Sequence, residues 1–365
     1  MGNKKSVNNI QKPFEVQIGN RLQASVKELL KEKLNQIHPL KQQIYHEAIS
    51  KLSDQDRDQI MVYIKCNQNT VITQNLYHEM RTQLFEGPYN YQSDFNSQKS
   101  NKKIWYVNFS DKNLFGYYHT ALFAQDEVQC CQFPILPYIK QYIQSNSKQE
   151  EGYYPVTRVG MNSYPILILN CQCVCNINLQ KTTQAYPNGI YGNNFSSLKS
   201  EDVNLFFTFP NKQDAKVNIN LICMSALSVY DQNGLTRRYT ADEIVYTFET
   251  VYRAFYSAVQ ESKSNDQNVK VVINTGNWGS GAFGNNLAFT VLVQLVAAHL
   301  AKVNCLNYYP FDENGKQCYS QGYQLFQNFI LEQKQSNVVL SLQFQLNFIQ
   351  YCLNQNFVWG TSNGY

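Results

Sequence analysis

Two adjacent carboxyls, Asp126 and Glu127, stand between Leu122-Phe123-Ala124-Gln125 and Val128. A carboxyl that keeps its proton can act as a general acid, and an ionised one as a general base or a stabiliser of positive charge. A carboxyl flanked by Phe123 and Val128 is partly desolvated, which raises its pKa and keeps a proton on it near neutrality. If the segment is helical, neighbouring side chains diverge by about 100°, so one carboxyl enters a site while the other braces it. A lone Asp-Glu pair is more often a solvated surface, so a second feature has to lift it. His119 is a nearby titratable group, and a surface histidine is the plainer reading of it.

The second feature is Val271 to Asn286, Val-Val-Ile-Asn-Thr-Gly-Asn-Trp-Gly-Ser-Gly-Ala-Phe-Gly-Asn-Asn. Val271–Ile273 reads as strand core. Gly276, Gly279, Gly281 and Gly284 allow positive φ and close backbone approach. Asn285 and Asn286 can cap the apolar run from Leu287 to Ala301. A strand, a glycine-rich loop and a helix start together make an anion cradle of inward amides and partial positive charge. Trp278 and Phe283 place flat rings where a base or ribose could rest. A glycine turn with two core aromatics is the simpler alternative.

This run resembles the nucleotide-binding loop of the poly(ADP-ribose) glycohydrolase family, Thr-Gly-Asn-Trp-Gly-x-Gly-Ala-Phe-Gly, filled from Thr275 to Gly284 with Ser280 at the variable place. The resemblance extends to Val107–Glu127. There Gln125-Asp126-Glu127 occupies the place of the family's Gln-Glu-Glu, and Asn108 and Asp111 stand where the family has Asp and Asn. The family's three-glycine phosphate loop aligns with Phe115-Gly116-Tyr117, so one glycine remains. A divergent, mainly microbial branch is similar at Leu114, Phe115, Gly116, Ala124, Gln125, Asp126 and Glu127.

The resemblance implies a three-layer α/β/α macro-domain-like mixed sheet and a hydrolase that cuts ribose-ribose O-glycosidic bonds without cofactor or metal. Glu127 would be the general acid/base and Asp126 its support. ADP-ribose or poly(ADP-ribose) on modified proteins would meet Asn108, Asp111, Phe115, Gly116, Gln125, Tyr191, Gly276, Asn277, Trp278, Gly279, Gly281, Ala282, Phe283 and Gly284. The alternative is an inactive ADP-ribose-binding or scaffold protein that keeps the fold, which the lost glycines favour.

The elements that must position these groups follow from patterning. Residues 104–109, 166–175, 218–226, 271–273 and 305–311 read as strands. Thr240-x-x-Glu243 is a capping box before a helix over 241–261. Alternating strands and helices indicate a layered α/β sheet with ligands beyond the strand carboxyl ends. Three-to-four spacing of Leu22, Val26, Leu29, Leu30 and Leu34, then of Ile44, Ala48, Leu52, Ile60 and Ile64, predicts an N-terminal helical accessory region, a candidate protein-partner surface. The expected division is a flexible 1–20, helices and loop over 21–100, the core over 101–335, and a C-terminal helix and frayed tail over 336–365.

The 365 residues are 43% hydrophobic and only 16% charged, with net charge +4. That balance gives ample core and argues against duplex nucleic acid as a partner. Ten cysteines without a signal-peptide pattern indicate reduced thiols in an intracellular, cytoplasmic setting. Cys171, Cys173 and Cys175 lack the turn spacing of a metal site and read as one apolar strand face. Met1-Gly2-Asn3-Lys4-Lys5-Ser6 fits an N-myristoylation pattern, so Gly2 acylation and attachment to a membrane surface are expected together with the lysines nearby.

Overall fold

The computed structural model describes residues 18–67, 78–91, 101–146, 154–229, 237–335 and 341–362. The Gly2 acylation expectation lies outside the described residues. Eight strands form one mixed sheet: β1 (Gly19–Ser25), β2 (Ile60–Cys66), β3 (Arg81–Leu84), β4 (Lys102–Ser110), β5 (Ile166–Gln172), β6 (Asn218–Ser225), β7 (Lys270–Gly276) and β8 (Cys305–Tyr309). Their order across the sheet is β1-β2-β5-β6-β4-β7-β8-β3. From β6 to β3 every neighbouring pair is parallel, and from β6 to β1 every pair is antiparallel. The parallel register sets Ser110 beside Ser225 and Gly276 beside Tyr309, so four strand carboxyl ends open at one rim.

Side chains alternate between the faces as the pleat requires. Trp105 and Val107 enter one core with helices α4 (Ala241–Lys263), α5 (Leu287–Leu300), α6 (Glu313–Gln335) and α7 (Ser341–Asn354). Tyr106 enters the other core with α1 (Pro39–Ser50), α2 (Gln125–Gln132) and α3 (Leu136–Asn146). The result is the expected three-layer arrangement. Thr240 accepts from the Glu243 amide while Glu243 accepts from the Thr240 amide, which starts α4 as its capping box implies.

Three expectations need correction. The first hundred residues are not an accessory helical layer, because three of the eight strands come from them. Arg21 and Leu22 lie on β1, and Ile60 and Ile64 lie on β2. Helical spacing misleads at β2, which is buried on both faces so that apolar residues fill both phases of the pleat, while the edge strand β1 offers Leu22 as its one large apolar residue. The strand that carries Cys171 ends at Gln172, and Cys173 and Cys175 follow it as buried loop residues. The end of the chain is not frayed at Trp359. Its ring stacks on Tyr239 at 4.6 Å and 10°, and its amide donates to the Arg237 carbonyl at 2.9 Å.

Candidate active site

A cavity of about 610 Å³ opens at the rim where β4, β7 and β8 end. One wall is the start of α2, which carries Gln125, Asp126 and Glu127. Another is the turn from Gly276 to Phe283. The two loops singled out in the sequence therefore border the same cavity.

Helix α2 is tied to β4 by its own side chains. Gln125 acts as an extra strand residue: its Oε1 accepts from the Phe109 amide at 2.8 Å and its Nε2 donates to the Val107 carbonyl at 3.1 Å. Asn108 projects from β4 onto the same face and donates to Asp126 Oδ1 at 2.8 Å and to Gln129 Oε1 at 2.9 Å. It also accepts a short hydrogen bond from the Ser110 hydroxyl. Glu127, third in the helix, accepts from the Ala124 amide at 3.0 Å through Oε2. This bond satisfies an otherwise orphaned N-terminal donor and holds the carboxyl in place.

Both carboxyls line the cavity, yet Asp126 is 5% and Glu127 2% exposed. Burial pushes the Asp126 carboxyl well up, and the neighbouring Glu127 pushes it further, against Asn108 and Lys140. Burial also raises Glu127, opposed first by the charge of Lys41 and then by its backbone donors. Two acids this close cannot both ionise cheaply in a desolvated site, so the pair retains a proton above the usual carboxylate range.

The cavity-lining turn is built from glycines in forced positions. Gly279 has φ +74°, and a Cβ there would meet the Ala226 Cβ at 2.6 Å. Gly284 has φ +67°, and at Gly276 a Cβ would meet the Tyr309 carbonyl oxygen at 2.5 Å. Asn285 donates to the carbonyls of Leu227 and Gly279 and accepts from the Tyr239 hydroxyl. Asn286 is the cap of α5, accepting from the Phe289 amide at 3.1 Å. Among the described residues, the amides of Gly281, Ala282 and Phe283 donate to no protein group, which leaves them for an anion at the helix start. No lysine, arginine or histidine is among the cavity-lining residues described.

The expected contact residues divide. Asp111, Gln125, Tyr191, Gly276, Asn277, Gly279, Gly281, Ala282 and Phe283 line the cavity. Asn108, Phe115, Gly116 and Gly284 do not. Asn108 is fully buried and serves Asp126 instead, because strand alternation turns it beneath α2. Phe115 is fully buried in the core under the sheet, with φ +49°, a left-handed conformation usual for glycine. Tyr117, rather than Phe115, reaches the cavity, half exposed. Trp278 borders the cavity but is 1% exposed, and its indole N–H donates to the Met224 carbonyl at 3.0 Å. It is a prop for the turn, not a platform for a base. His119 is exposed and does not line the cavity.

Several wall residues carried no sequence signal. Tyr89, Tyr309, Phe311, Gly360 and Thr361 come from separate loops and meet only in the fold. Phe311 is 70% exposed and lies 5.4 Å from the Tyr191 ring, forming an aromatic rim at the mouth.

Residues 177–317 match the family model described as poly(ADP-ribose) glycohydrolase, Macro domain fold. That span contains the tryptophan turn but not Asp126 and Glu127. No curated protein sequence matches the chain. Among solved structures, poly(ADP-ribose) glycohydrolase from Thermomonospora curvata is similar at 10% identity and TM-score 0.47, covering 78% of this chain and 98% of that chain. The enzyme from Deinococcus radiodurans in complex with ADP-ribose is similar at 11% identity and TM-score 0.41, covering 87% and 98%. The matched span and the mixed eight-stranded sheet support a divergent, poly(ADP-ribose) glycohydrolase-like macro-domain fold for this chain.

Proposed function

We propose that the protein hydrolyses O-glycosidic bonds of ADP-ribose polymers or conjugates, with Glu127 as general acid/base. The observation that carries this reading is that a buried carboxyl, its pKa raised by desolvation, and an amide-rich turn share one cavity. The amides of Gly281 to Phe283 hold the diphosphate, and the Tyr191–Phe311 rim receives the base. Glu127 gives its proton to the departing ribose oxygen as the C–O bond breaks and its electron pair leaves with that oxygen. A water molecule then adds to the sugar cation and returns a proton to Glu127. Asp126, held by Asn108, keeps Glu127 in register and binds a substrate hydroxyl.

A second reading, an ADP-ribose reader without turnover, is favoured by Tyr117, whose ring stands on the cavity wall where the resemblance expects glycine. Calorimetric titration of the purified chain with ADP-ribose, run beside an assay on labelled poly- and mono-ADP-ribosylated protein, separates the two. Binding with release of ADP-ribose supports the hydrolase, binding without release supports the reader, and absence of binding removes both.

A further inference from the structure

The loop from Phe115 to Leu122, which leads into the catalytic segment, is clamped from a part of the chain outside the matched span. Helix α1 and the residue before it reach three of its carbonyls. The His38 amide donates to the His119 carbonyl at 2.8 Å, the Tyr45 hydroxyl to the Tyr118 carbonyl at 3.3 Å, and Lys41 Nζ to the Leu122 carbonyl at 2.6 Å. Lys41 and Tyr45 lie one turn apart on the same helix face. Helix α3 adds Lys140, which donates to the Phe115 carbonyl at 3.1 Å.

Lys41 is the unusual member. It is fully buried, with the Phe123 and Phe195 rings each 5.9 Å from its nitrogen. Among the described residues it forms no ion pair within 4.0 Å. A buried cation without a paired carboxylate is costly, and a leucine or methionine would fill the same space at less cost. Leu122 is two residues from Ala124, whose amide holds Glu127, so the ammonium sits behind the wall that carries the reacting carboxyl.

We propose that Lys41 is a positioning residue for Glu127: its charge, supplied from behind the cavity wall, sets how tightly Glu127 holds its proton, and its hydrogen bond fixes the loop before α2. The other groups that act on Glu127 are Asp126 beside it on α2, Asp111 after β4, Tyr117 on the loop, Tyr45 on α1, and the Cys130 and Cys131 thiols one turn further along α2. Among the described residues, Lys41 is the cation that acts on Glu127 itself, and Lys140 on α3 acts on its neighbour Asp126. The N-terminal helix is thereby part of the active site. The consequence for turnover rests on the hydrolase reading; the consequence for the proton affinity of Glu127 does not.

The test is a carbon-13 carboxyl titration of the full chain labelled at glutamate, with the Glu127 resonance assigned through Glu127→Gln. Lys41→Met removes charge and hydrogen bond together. Lys41→Gln removes the charge and keeps a donor for Leu122, and it carries the test if the Met variant does not fold. Lys41→Arg retains the charge. The titration midpoint of Glu127 moves up in the Met and Gln variants and returns towards wild type in Arg. In an active enzyme the alkaline limb of the kcat/KM profile moves up with it. A midpoint unchanged in Lys41→Gln overturns the proposal, whether or not the wild type turns over any substrate. Loss of wild-type turnover with the midpoint shift intact removes only the hydrolase reading.

Discussion

Asn108 Nδ2 stands 2.8 Å from Asp126 Oδ1, while Asp126 Oδ2 is buried and has no hydrogen-bond partner among the described residues. One oxygen of this carboxyl is held and the other is left for a proton or a ligand. Burial and the neighbouring Glu127 both favour the proton.

That relationship makes Asp126 a cost to stability at neutral pH. Its folded-state pKa is raised, so its contribution is fully present below the unfolded-state value of about 4 and is lost as pH rises through the folded value. Asp126→Asn keeps an acceptor for Asn108 and removes the titration. Its Tm should exceed wild type by a few degrees at pH 7, and the difference should shrink towards pH 4, as read by calorimetry across that range. Equal differences at both pH values would contradict the buried-acid assignment.

Asn108→Asp should act in the opposite direction. It replaces two donors with a third carboxyl against Asp126, leaving Gln129 Oε1 unpaired as well. A loss of ~2 kcal/mol or more is expected at pH 7 by chemical denaturation, and less in acid.

Gly279→Ala probes the turn. The added Cβ meets Ala226 at 2.6 Å and the backbone is left-handed, so the turn must shift. The expected loss is roughly 1–3 kcal/mol in stability. ADP-ribose affinity should fall by about tenfold or more, a loss of ~1.4 kcal/mol or more.

How much of this was legible in the sequence differs by element. Both loops were readable because each concentrates residues whose chemistry has few other uses: four glycines around one tryptophan, and paired acids behind an amide. The α/β layering was readable from Val271–Ile273 and the capping box at Thr240, where local propensity and tertiary role agree. Strand β2 was hidden because burial on both faces erased its alternation, and β1 because Leu22 is its one large apolar residue. Trp278 misled because an aromatic in a glycine loop suits a base as well as a core, and only its bond to Met224 decides. Lys41, Phe311 and Gly360 had no signal of their own. Each acts through residues more than seventy positions away in the chain, and no spacing rule encodes such a meeting.

Phe311→Ala should separate ligand binding from folding. The ring is 70% exposed, so stability should stay within about 0.5 kcal/mol of wild type. If the rim stacks the base, ADP-ribose binding weakens by about tenfold, a reasonable value for one aromatic platform. Unaltered affinity by calorimetry would place the base elsewhere in the cavity.

Trp359→Ala should cost about 3–5 kcal/mol, because the indole is 2% exposed and stacked on Tyr239. Denaturant unfolding reads it directly. Gly360 and Thr361 border the cavity, so the same variant should also weaken ligand binding.

The carboxyl of Glu127 carries the proposed chemistry, and Glu127→Gln tests it with least disturbance, since the amide keeps an acceptor for Ala124. Release of ADP-ribose from labelled poly- and mono-ADP-ribosylated protein should fall by roughly a hundredfold to ten-thousandfold. Calorimetric affinity for ADP-ribose and the Tm should remain close to wild type. Undiminished release by a folded, ligand-binding Glu127→Gln protein would contradict the assignment.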